Sequence, residues 1–97
     1  MATKYEIRRA ILKTAARLYC PLDLKTLLCF DEIIQFQDDA AVAAEWEALS
    51  EERYLLPVPG FDEHRALSPR VKSLFQADPS GGWMKDEPFL AGPFAMR

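Results

Sequence analysis

The sequence predicts one small α+β domain, mostly helical, with three helices, a two-strand hairpin, a short fourth helix and an apolar C-terminal arm. Three observations carry this expectation. An N-terminal stretch places apolar residues at helical spacing behind a capping signal. An acidic helical segment, Asp38 to Arg53, runs directly into YLLPVPGF, a strand followed by turn chemistry. After the hairpin, Ser68-Pro69 has the form of a helix start. With 97 residues, 49% hydrophobic and 28% charged, the chain has the composition of an ordinary globule and the length of one domain.

The elements follow in order. Thr3 and Glu6 make a T-x-x-E capping box, and Ile7, Ala10, Ile11, Thr14, Ala15 and Leu18 form the buried stripe of the first helix. Arg8, Arg9, Lys13 and Arg17 are expected on its wet face, and Pro21 ends it. A second helix is expected from Leu22 or Asp23, with Leu24, Leu27, Leu28 and Ile33 or Ile34 inward, and Phe30 to Phe36 either finish it or turn back as an irregular connection. Asp38 or Asp39 caps the third helix, whose core face is Val42, Trp46 and Leu49. The hairpin pairs Tyr54–Val58 with a strand through Arg65, Ala66 and Leu67, and its prolines make these edge strands. Val71, Leu74 and Phe75 pack the last helix. The domain then spans residues 1–76, and residues 77–97 form the arm, which has no period yet carries Trp83, Met84, Phe89, Leu90 and Phe94. So apolar a segment needs a surface to lie on, either its own domain or a second copy of the chain. The expectation favours the second copy, and the alternative has the arm covering the second helix.

From Ile7 to Phe75 the chain resembles the winged helix-turn-helix superfamily, in particular the small bacterial regulators of the MarR and PadR kind. IRRAIL, PLDLKTL and EWEALSEERYLLPVPGFDEHRALSPRVKSL carry the resemblance. The Leu49 to Leu55 phrase precedes the wing, and Arg65 to Ser68 opens the last helix. The resemblance implies a winged-helix domain and, by analogy, DNA binding through the helix before the wing.

The residues on that helix point elsewhere. With Val42, Trp46 and Leu49 inward, its outer face is expected to present Ala41, Ala44, Glu45, Ala48, Glu51 and Glu52. Base reading needs donors at base edges, and phosphate neutralisation needs cations. Residues 31–52 instead carry eight acids and no base, whereas residues 1–28 carry six bases and two acids. The alanine row is flat enough for another helix or strand to approach. Phosphate contacts, if made, fall to Arg8, Arg9, Lys13, Arg17, His64, Arg65, Arg70 and Lys72 on the first helix and the wing.

Catalytic and metal chemistry find little support. Asp62-Glu63-His64-Arg65 gathers ionisable groups, but neighbours on a strand point to opposite faces, and a solvated loop is expected there. Cys20, Cys29 and His64 are too few and badly spaced for zinc, and no phosphate-binding glycine loop is present. No cofactor and no metal are expected. The absence of a signal-like N-terminus and of a long apolar run favours a cytoplasmic protein that does not meet the membrane. The sequence thus predicts a non-catalytic protein-interaction or assembly module that self-associates as a dimer through Ala41, Ala44, Glu45, Ala48, Trp83, Phe89, Leu90 and Phe94. A DNA-binding transcriptional regulator is the alternative.

Overall fold

A computed structural model describes residues 3–18 and 21–90 of the protein. The order of elements is α1 (Lys4–Leu18), β1 (Leu22–Asp23), α2 (Leu24–Leu27), α3 (Asp31–Ile34), α4 (Asp39–Glu51), β2 (Leu55–Val58), β3 (Phe61–Leu67) and α5 (Pro69–Ala77), with a 3-10 helix at Gly82–Asp86. The architecture is α+β and mostly helical, with a small three-stranded antiparallel sheet in the order β1-β3-β2.

The local signals act as their chemistry requires. Thr3 Oγ1 accepts from the Glu6 amide and Glu6 Oε1 from the Thr3 amide, each at 3.1 Å, closing the capping box of α1. Asp38 Oδ1 accepts from the Ala41 amide at 3.0 Å and starts α4. Ser68 Oγ accepts from the Val71 amide at 3.3 Å, with Pro69 as the first helical residue of α5. The end of α4 is tied by two bonds, from the Tyr54 amide to the Leu49 carbonyl and from the Arg53 amide to that of Ser50. This paired closure puts Arg53 at φ 67, in the left-handed region usually given to glycine.

Two elements differ from the sequence expectation. The single second helix is divided into β1, α2 and α3. Leu22 and Asp23 pair with Arg65 and His64 of β3, adding a third strand, because the chain leaving Pro21 stays extended up to Asp23 at ψ 161. Phe30 is also extended, and its carbonyl accepts from the Ile33 and Ile34 amides to begin a new turn. This break lets Leu27 and Ile33 both reach the core, while Ile34 is left 50% exposed. The returning strand is also longer than expected. It starts at Phe61, so Asp62, Glu63 and His64 lie on β3 rather than in a loop. β2 is an edge strand, which accommodates Pro57, and a register irregularity falls between Pro57 and Val58.

One core joins all layers. Ile11, Leu12, Leu27, Leu49, Val71, Met84 and Leu90 are fully buried, and Trp46 is 2% exposed. Met84 and Leu90 of the arm belong to this same core.

Candidate protein-interaction surface

The outer face of α4 is narrower than its sequence suggested. Val42, Trp46 and Leu49 are buried as expected, but so is Glu45. Ala41 and Ala48 are half-buried, and Ala44 is exposed. The exposed stripe is Ala40, Ala44, Glu47 and Glu51, at spacings of four, three and four. Glu45 belongs inside because 42, 45, 46 and 49 make a complete helical core face. Its carboxylate is neutralised by Arg8, whose Nε donates to Oε1 at 2.5 Å across the α1–α4 contact. Arg8 obeys the same rule, since 8, 11, 12 and 15 are all buried on α1. Its expected place on the wet face is therefore corrected. The spacing was legible in both helices, but the charges masked it, because a charged residue is seldom buried without a partner.

Most cations expected to meet phosphates are held within the chain. Arg17 pairs with Glu32 on α3. Arg65 donates to Ser50 Oγ at 2.6 Å, lies 3.7 Å from Glu47 and sits over the Trp46 ring at 5.9 Å. Arg70 donates to Glu87 Oε1 at 2.8 Å and lies over the Tyr54 ring at 5.5 Å. Arg9 reaches the Ser80 carbonyl at 3.5 Å, and the stem of Lys13 lies beside Gly81. Lys72 is exposed. His64 is half-buried and meets Phe61 edge to face at 5.6 Å, while Phe61 itself is 59% exposed at the hairpin end.

The described part of the arm lies against α1, α5 and Tyr54. The Phe89 ring is held between the Arg8 guanidinium at 4.1 Å and the Tyr54 ring at 5.6 Å, and Arg8 Nη1 donates to the Phe89 carbonyl at 2.7 Å. Trp83 meets Phe75 edge to face at 5.1 Å. Glu87 Oε1 also accepts from the Tyr54 hydroxyl at 2.9 Å. The bond from Arg70, with a lesser one from Tyr54, holds the Glu87 carboxyl below its ordinary range. Burial first, and then the Glu87 carboxylate, push the Tyr54 phenol up to about 12. Trp83, Phe89 and Leu90, expected to bridge two copies of the chain, make these contacts within one chain. Phe94 and Cys20 lie outside the described residues.

Among the described residues no cluster of three or more His, Cys, Asp or Glu could hold a metal ion, and no helix is long and apolar enough to cross a membrane. Cys29 is exposed, with its thiol directed to the Lys25 carbonyl. A mainly apolar groove of about 630 Å³ runs between the end of α1, β3 and α5. Comparison with protein-family models, with characterised sequences and with solved structures finds no match.

Proposed function

We propose that this chain is a non-catalytic protein-interaction module of winged-helix type, which docks a partner on the exposed stripe of α4 and the end of the β2–β3 hairpin. The order of helix, short strand, helical pair, long helix and hairpin supports the winged-helix reading, as does the strand order β1-β3-β2. One observation carries the function. The helix in the reading position exposes Ala40, Ala44, Glu47 and Glu51, while Arg8, Arg17, Arg65 and Arg70 are paired with the chain's own carboxylates. A surface of methyl groups and carboxylates repels phosphates and lacks donors for bases. Phe61, exposed at the hairpin end, adds an apolar contact of the kind that protein interfaces use.

The test is site-specific photo-crosslinking in native lysate treated with nuclease. A photoreactive residue at Ala44 or Phe61 is expected to give a discrete protein adduct, and one at the exposed Gln76 is not. In parallel, labelled random duplexes are expected to show no sequence-dependent binding at physiological salt. A single enriched consensus bound at submicromolar affinity would overturn this reading and restore the DNA-binding regulator.

A further inference from the structure

We infer that the seat beneath the C-terminal arm is itself a peptide-recognition site, occupied in the isolated chain by Glu87–Leu90. Its external ligand is a partner segment of the same chemistry, with a carboxylate, then an aromatic two residues on, then an aliphatic side chain. The inference rests on the interaction-module reading but concerns a different face of the molecule.

The arm docks as a ligand docks. Its backbone bonds are local. The Gly81 amide donates to the Asp78 carbonyl, Met84 to Gly81, Glu87 to Met84 and Leu90 to Glu87. Attachment to the rest of the molecule comes instead from side chains. Three of its four positions are engaged, and Pro88 is exposed. The Glu87 carboxylate takes donors from both Arg70 and the Tyr54 hydroxyl. The Phe89 ring is clasped between Arg8 and Tyr54, and its carbonyl accepts from Arg8. Leu90 is fully buried. An apolar strip would have sufficed to cover a core. Two guanidiniums and a phenol read charge, ring and main chain, as peptide-binding sites do.

The closed state is also imperfect. Among the described residues, Trp83 Nε1 is buried without a hydrogen-bond partner, a cost that a displacing segment need not bear. The tether runs through Gly81 at φ 78, where an added Cβ would stand 2.6 Å from Met84 Cε. Gly81 therefore supplies a turn that brings the arm back over α1. A tethered segment competes at an effective concentration of roughly millimolar, so an external segment binds measurably once the arm is weakened.

The experiment uses the full-length chain and a fluorescent synthetic peptide of residues 85–90. Phe89→Ala loosens the resident arm. The peptide is expected to bind this variant saturably and at least about tenfold more tightly than wild type. Replacing the peptide's Glu by Gln or its Phe by Ala, or adding Arg70→Ala to the receptor, is expected to lower affinity by about tenfold. A folded Phe89→Ala chain that binds native and scrambled peptides equally, or neither, overturns the inference. If that variant does not fold, amide exchange on wild type decides. Residues 82–90 are expected to exchange together and at least about tenfold faster than α1. Exchange as slow as that of α1 overturns the inference. Neither result alters cross-linking at Ala44 and Phe61, so failure here is distinguishable from failure of the interaction-module reading.

Discussion

Arg8 and Glu45 show how much two charges can decide. Each sits at a core position of its helix, and they neutralise each other across the α1–α4 contact. Removing one partner of a buried pair leaves an uncompensated charge, so Glu45→Ala is expected to cost on the order of 3–5 kcal/mol. Replacing both, as in Arg8→Met with Glu45→Leu, is expected to recover most of that loss, because desolvation of the pair offsets much of its attraction. Urea denaturation of the three proteins tests this, and a double variant as unstable as the single one would refute it. Tyr54 offers a second residue-scale test. Its folded-state phenol is raised to about 12 while an unfolded tyrosine titrates near 10, so its contribution is complete below about pH 10 and is lost as pH rises toward 12. Absorbance titration is expected to show one tyrosine ionising well above a free phenol. Glu87 has the opposite sign. Its carboxyl is depressed, so its contribution is present above the ordinary carboxylate range and is lost as pH falls through the lowered value.

At the scale of elements, the left-handed Arg53 is a clear test of local geometry. A side chain there pays for the close approach of its Cβ to the backbone, and the end of α4 would be better served by glycine. Arg53→Gly is therefore expected to raise stability by about 0.5–1 kcal/mol, read as an increase in thermal midpoint. A lower midpoint would mean that the exposed Arg53 side chain contributes more than its backbone costs. The same local rules made much of the fold readable from sequence. Capping oxygens at Thr3, Asp38 and Ser68 start the helices where expected, and the Val42, Trp46, Leu49 stripe faces the core. β1 was not readable, because a two-residue strand has no period and exists only through its pairing with β3. The sequence left the break at Phe30 as one of two alternatives for a related reason. LKTLLCFDEII is apolar enough for one continuous helix, and only the need to bury both Leu27 and Ile33 divides it. On the interaction surface, Ala44 was readable as outward-facing from spacing alone. The place of Glu45 depended on Arg8, thirty-seven residues away, which no local window contains.

At the scale of the whole molecule, the arm decides how stability is distributed. Its fully buried Met84 and Leu90 belong to the same core as Leu12 on α1, yet the two regions are attached differently. α1 packs against α3, α4 and β3, so a void beneath it is felt by the entire domain. The arm's backbone bonds are local, so a void beneath it can be relieved by undocking the arm. Leu12→Ala and Leu90→Ala remove the same atoms from equally buried positions. The first is expected to cost about 2–5 kcal/mol in global unfolding. The second can cost global stability no more than the docking free energy of the arm. Beyond that limit it appears as faster amide exchange over residues 82–90 without further loss elsewhere. Because the contacts of the arm's described residues already bury Met84 and Leu90 within one chain, deleting residues 79–97 is expected to leave the oligomeric state in sedimentation unchanged while lowering the thermal midpoint. A shift from dimer to monomer on truncation would show that the arm bridges chains after all. Equal global costs for the two leucines, with unchanged exchange in the arm, would show that the arm is as firmly integrated as α1.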